Sequence, residues 1–302
     1  MTKLIRLFKP ERGQMLAVTA VSIVAMIGMG AFVMDVGAWM RQHRATQAVA
    51  DASALAAAQK LPASTAQATT LANQYSAKNG GGVTQIQFSS NTFPNDTIET
   101  KADRTAPGFL SRVLGIASVS VHATAKARAY NLGSAKYVAP FAVDIAHPLL
   151  SGGGCPCFNI PTMLDLKKVG PGAFRIVNVD GSHGGTGQQT LGDWIMNGYN
   201  GYMGLGWTYS DPGAKFNPGP IDDAMTARIG SEVLFPIYDS VRAQGSGFEY
   251  RIIGFVGFKI SGFDAQGNKS QIFGEFTRVV WEGQTSESGS NFFGATVVKL
   301  VG

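Results

Sequence analysis

The sequence predicts an α+β protein. An N-terminal transmembrane helix runs on into a stem helix, a small α/β unit with an antiparallel sheet follows, and a β-rich domain with short helical insertions ends the chain. Three observations predict it. Residues 16–34 hold no charged side chain, residues 39–60 hold neither Gly nor Pro and are dense in Ala, and beyond Ala135 short apolar, aromatic runs alternate with turn residues. A chain of 302 residues is long enough for two modest folded units and a stem. The expected divisions are 1–62, 63–130 and 135–302.

The run LAVTAVSIVAMIGMGAFVM at 16–34 makes a helix of about 28 Å, close to the hydrocarbon thickness of a bilayer. A buried core helix seldom stays apolar on every side for that length, so a membrane span is the reading. Lys3, Arg6, Lys9 and Arg12 precede it, and Arg41 and Arg44 follow. That excess places the N-terminus in the cytoplasm and the bulk of the chain outside, periplasmic or extracellular. A cleaved signal peptide would have a shorter apolar region and a small-x-small site, whereas this span runs into MDVGAWMRQHR. A pilin-type leader cut at Gly13 would want Glu five residues on, where Val18 stands. An uncleaved anchor is expected. Asp35, at its outer end, is read as reaching water or pairing with a partner's base.

Beyond the span, Ala45, Ala48, Val49, Ala52 and Ala56 recur at three- and four-residue spacing and line one helix face. Small residues let another backbone approach closely. This seam faces either a neighbouring subunit or the chain's own next helix. Pro62 ends the run.

Ser64 or Thr65 caps a second helix that Asn79 and Gly80 close. Val83, Ile86 and Phe88 suggest one strand, and Ile98, Thr100 and Ala102 another. Pro107 is placed to open a short helix, with Gly115 at its end. SVSVHATAKARA at 118–129 alternates small apolar and polar residues as a half-buried strand does. In the last unit, strands are expected at 137–145, 174–181, 232–239, 248–263, 271–281 and 296–301, with a hairpin turn at 264–270. Pro140 favours an edge position. Helices are expected at TLGDWIMNG, with a near capping box from Thr190 to Asp193, and from Pro220 to Gly230. A barrel or sandwich is the expected form of this domain.

Composition narrows the function. Only 15% of residues are charged and Gly numbers 38, which suits a strand-rich protein outside the cytoplasm. Of the net charge of +5, +3 lies in the first 15 residues, so the folded part has no basic stripe for nucleic acid. Cys155 and Cys157 form a CPC pair, too few ligands for structural zinc; a disulfide or two quiet thiols is the reading. The four histidines share no i, i+4 spacing, and no GxSxG surrounds a nucleophile. GSHGGTGQQ at 181–189 lacks the Gly-Lys-Ser/Thr ending of a phosphate cradle and reads as a flexible turn. No catalytic, metal or cofactor-binding residue, no cofactor and no small-molecule substrate is expected.

ERGQMLAVTA at 11–20, DVG at 35–37 and RQHRATQAVADASALAAAQKLP at 41–62 resemble the N-terminal module of TadE/G-like proteins, the tight-adherence (Flp pilus) assembly proteins of bacteria. QYSAKNG at 74–80 and TAPGFLSRVLGIASVSVHATAKA at 105–127 are similar to the domain that commonly follows the anchor in TadG-like proteins. The likeness spans residues 11–130. It implies a non-enzymatic, single-pass component of the bacterial inner membrane whose partners are the bilayer and other pilus-assembly proteins. The metal-dependent adhesion site of some TadG-like proteins is not carried over: Asp51-Ala52-Ser53-Ala54-Leu55 lacks the final Ser and lies in the stem helix. The alternative is a membrane-anchored adhesin or envelope-binding module that recognises a surface glycan or protein through Tyr202, Trp207 and Tyr209.

Overall fold

The span and the alanine-rich run lie in one unbroken helix, α1 (Arg12–Ala58), of 47 residues. At 1.5 Å per residue it is about 70 Å long. The computed structural model describes residues 12–166, 175–211, 219–244, 247–264, 270–286 and 292–301. The two halves of α1 have opposite surroundings. None of its most apolar 18-residue stretch is buried by the protein. From Thr46 onward, one face is buried in the folded body.

Helix α2 (Thr65–Lys78) starts where Ser64 Oγ accepts the Gln67 N–H at 3.2 Å, the cap expected from the sequence. Strands β1 (Val83–Ser89), β2 (Thr97–Pro107) and β3 (Ser118–Ala135) form an antiparallel meander, with Ile86 opposite Thr100 and Thr100 opposite Ala125. Ala123, Ala125, Ala127 and Ala129 point from β3 into a core shared with Val49, Ala50, Ala54 and Ala57 of α1 and Ala68 and Ala72 of α2. Alanine on both surfaces brings backbone close to backbone. Thr100 of β2 donates its hydroxyl to the Ala50 carbonyl of α1 at 2.9 Å. Pro107 ends β2 instead of opening a helix; a single 3-10 turn follows at Ser111–Leu114, closed by Gly115 in the left-handed conformation.

The remaining elements are β4 (Val143–Asp144), α3 (Pro148–Ser151), β5 (Pro161–Asp165), α4 (Gln188–Asn197), β6 (Met203–Gly204), β7 (Gly206–Tyr209), α5 (Pro220–Arg228), β8 (Glu232–Gln244), β9 (Gly247–Asp264), β10 (Gln271–Thr277), β11 (Val279–Val280), β12 (Gly283–Ser286) and β13 (Ala295–Leu300). A second sheet runs β4-β8-β9-β10-β5, with β7 on β9. Its core gathers Phe141, Phe235, Tyr250, Phe258 and Phe276 with Leu191, Ile195 and Met225 of α4 and α5.

The first sheet is not made from the first unit alone. Its order is β1-β2-β3-β13-β11, and β12 and β6 also pair with β3. The last strand returns to lie antiparallel to β3, with Val298 opposite Ala129. The division expected at 130–135 therefore falls inside β3, which runs from one core into the other: Ala129 belongs to the helix-side core, and Leu132 and Ala135 to the aromatic one. Strand β13 likewise sends Val297 to one core and Val298 to the other.

Two expected strands are only fragments. Of 137–145, Val138 and Phe141 form isolated bridges and only Val143–Asp144 is a strand; of 174–181, Ile176 and Val177 form bridges and Phe174 lies outside the described residues. Pro140 has no N–H to donate, and Gly181 has φ +76°, which turns the chain. The expected 264–270 turn lies almost wholly outside the described residues, but the strands it would join, β9 and β10, pair antiparallel. Helix α4 begins at Gln188 with Gly187 as its cap, so the Thr190–Asp193 capping box is not used.

Candidate functional site

Helix α1 leaves its bare stretch at one end of the folded body. Asp35 is the first carboxylate after the uncharged run, and it is 1% exposed. It neither reaches water nor awaits a partner's base. Its Oδ1 accepts the Phe109 N–H at 2.9 Å, and its Oδ2 accepts the Leu110 and Ser111 N–H groups at 3.0 and 2.6 Å. A carboxylate with three backbone donors is a strong, directional clamp. One turn further on, Trp39 Nε1–H donates to the Pro107 carbonyl at 3.3 Å. Within the loop, Ser111 Oγ donates to the Ile116 carbonyl at 3.1 Å. Residues 107–117 are thereby fixed against the helix exit. The side chains of Phe109 and Val113 stand outward, 81% and 84% exposed.

Beside this clamp lies an open groove of about 570 Å³ between Val36, Trp39, Met40 and His43 of α1 and residues 119–122 of β3. It borders a strand edge. Strand β2 pairs with β3 from residue 118 to 128, but on the other side β13 reaches only Ala127–Asn131. Just past β13, Val301 N–H donates to the Lys126 carbonyl at 2.9 Å, and among the described residues no strand pairs with 118–125 on that side; Gln47 Nε2 covers the Thr124 carbonyl at 3.1 Å. His122, on the groove, places Nδ1 2.6 Å from Asp103 Oδ1. The Thr84 hydroxyl and then His122 hold the Asp103 carboxyl below the usual range.

The alanine seam divides between two faces. Val49 and Ala56 are buried, Ala52 is half-buried, and Ala45 and Ala48 are exposed. The face turned to the body is Thr46, Val49, Ala50, Ser53, Ala54 and Ala57. Alanine occupies so many positions here that three- and four-residue spacing marks several faces at once, and the spacing cannot choose between them. Ala45 and Ala48 are not among the buried residues of the core that α1 shares with the 65–78 helix.

Sequence reasoning missed Asp96, the best-buried acid of the first unit. It accepts backbone N–H groups from Asn91, Thr92 and Phe93 at 3.0, 2.7 and 3.0 Å and the Thr97 hydroxyl at 2.7 Å, and Arg128 Nη2 lies 3.3 Å away. Burial works against its charge, but the Phe93 N–H and these other donors outweigh it and hold the carboxyl below its ordinary range. The available signal was an Asp placed just before a strand in a turn-rich stretch, SSNTFPND.

The other candidates sit in the second sheet's unit. Cys155 and Cys157 are bonded to each other, with Cα atoms 4.6 Å apart. The 181–189 segment is a held loop and not a loose turn: buried Asn178 donates to the Ser182 and Gly184 carbonyls and accepts the Thr186 hydroxyl, and Thr186 N–H donates to Asp211. A cleft of about 290 Å³ holds Asp144, His147 and Arg175. Tyr238 donates to Asp144 there, and burial raises its phenol far above the usual value. Among the described residues no three His, Cys, Asp or Glu side chains are grouped to hold a metal ion. Each of the three aromatics has its own polar or aromatic neighbour. Tyr202 precedes β6 in the first sheet, with Lys136 over its ring, while Trp207 and Tyr209 stand in β7, with Arg242 over the first and His183 against the second.

No curated protein and no solved structure matches the chain. The matched stretch coincides with α1 and the turn that ends it: residues 13–60 match the family described as Tad, putative Flp pilus-assembly TadE/G-like. Over these residues the long N-terminal helix is similar to the TadE/G-like Flp pilus-assembly family.

Proposed function

We propose that this chain is a non-enzymatic, single-pass component of a Tad-type pilus assembly system. Its N-terminus lies in the cytoplasm, and the folded body forms a platform outside the inner membrane that contacts other pilus-assembly proteins. One observation carries the reading. The TadE/G-like stretch, 13–60, is one helix and the turn that ends it; the most apolar 18 residues of that helix are not buried by the protein, and its second half is built into the core. A helix apolar on all sides and without protein neighbours is matched to lipid. Because the same helix continues into the core, the body is coupled to the membrane without a hinge-forming loop. The action is mechanical: the anchor sets position, and the body supplies surface.

The test is protease added to intact spheroplasts. Digestion of the chain beyond residue 45, with a cytoplasmic marker left intact, is the expected result. Full protection of the body, with the protease shown active on another external protein, would overturn the orientation.

A further inference from the structure

Exposed apolar side chains scattered singly need no explanation, but a group on one short loop does. Phe109, Val113 and Ile116 are all exposed within eight residues, and exposed Arg112 lies among them. This loop is held in register with one level of α1. Asp35, which clamps three of its N–H groups, directly follows exposed Met34, the last residue of the uncharged run. The loop tip therefore stands where the bare stretch of helix ends. Trp39, the side chain that hydrogen-bonds the loop's first carbonyl, belongs to a residue type enriched at membrane interfaces.

We propose that residues 107–117 form a second membrane contact, a foot. Phe109, Val113 and Ile116 enter the boundary between headgroups and acyl chains of the leaflet that α1 leaves, and Arg112 meets lipid phosphate. This rests on the anchoring reading of α1 given above. Apolar side chains with an adjacent cation are the composition of interfacial elements that lie in, and do not cross, a bilayer. A single spanning helix leaves rotation about its own axis free, and interfacial anchors are what fix it. With the foot in place, the body has one orientation toward the membrane, and the groove beside 119–122 always opens just above the lipid surface.

The test places a benzophenone amino acid, one site at a time, at Phe32, Phe109 and Tyr202 of the full-length chain in its cell membrane. Each replaces an exposed aromatic, so the fold is preserved. Phe32 reports on the span. Tyr202 is the distant control: its neighbour Met203 pairs with Ala135, at the far end of β3, about 55 Å along the strand from Ser118. After illumination, lipid adducts are read by mass spectrometry. Lipid adducts at 32 and 109 in the same range, and none above background at 202, are expected. Adducts at 32 with none at 109, or protein adducts at 109 in place of lipid, would overturn the foot and leave the anchor standing. No lipid adduct at 32 would overturn the anchor and the foot together.

Discussion

Asp35 directs both carboxylate oxygens to a loop 74 to 76 positions away in sequence. No local pattern announces such a contact, because it depends on where β2 and β3 place their connection. The Asp-Val-Gly motif was visible at 35–37; its partner was not. Asp35→Ala should leave three N–H groups without their acceptor. Hydrogen exchange at Phe109, Leu110 and Ser111 is expected to quicken while exchange at Ala125 and Ala127 in mid-strand is unchanged. Equal exchange in both proteins would show that the clamp does not hold the loop. Asp96 gives a prediction in pH. Its folded-state pKa lies below the ordinary value near 3.8, so its contribution to stability is present above that value and is lost as pH falls through the lower one. Asp96→Asn should lower stability by about 1–3 kcal/mol at neutral pH, the cost of leaving buried partners unsatisfied. It should also flatten the fall of melting temperature as pH drops below the ordinary carboxyl value, on the same linkage argument. A variant with an unchanged acid limb would remove Asp96 from the account.

Among the elements, those with strong periodicity were legible. Helix α2 with its Ser64 cap, the alternation of β3 and the long strands β8, β9 and β13 follow from spacing and turn residues alone. Short strands such as β5 and β6 were not, since two to five residues are too few to show a period and their place is set by neighbours. The stem helix shows the opposite failure, a pattern too rich to read. Ala45 and Ala48 face away from the body, and Ala50 and Ala54 face into it. Replacing Ala45 and Ala48 together with Leu should leave the melting temperature of the chain near its original value, since exposed substitutions usually change stability by less than about 0.5 kcal/mol. Ala54→Leu should instead cost about 1–3 kcal/mol by overpacking. If the outer face meets another assembly protein, the double variant should also lose crosslinks to it while keeping normal abundance. A large loss of stability in the double variant would contradict the placement of that face.

For the whole molecule, the fold class was readable, because the long apolar N-terminal helix and the β-rich sheets with short helices that follow it differ in composition. The return of β13 to β3 was not, because pairing between residues about 170 positions apart leaves no local trace. This closure joins the two sheets. Gly254 of β9 lies beneath Phe293, just before β13, and a Cβ there would stand 2.5 Å from the ring. Gly254→Val should therefore displace Phe293 and cost about 1–3 kcal/mol. It should quicken hydrogen exchange at both Tyr250 in the second sheet and Ala129 in the first. An effect confined to the second sheet would mean that the two do not unfold together.

The central claim is that the body serves pilus assembly from the membrane surface through α1. The most direct measurement is piliation in cells from which this chain has been deleted, complemented either with the full chain or with one whose 16–34 stretch has been replaced by a cleavable signal peptide, so that the body is released on the outer side of the membrane. The account predicts few or no pili after deletion, recovery with the full chain, and no recovery with the released body. Normal pili in the deletion strain, or full recovery by the released body, would contradict it.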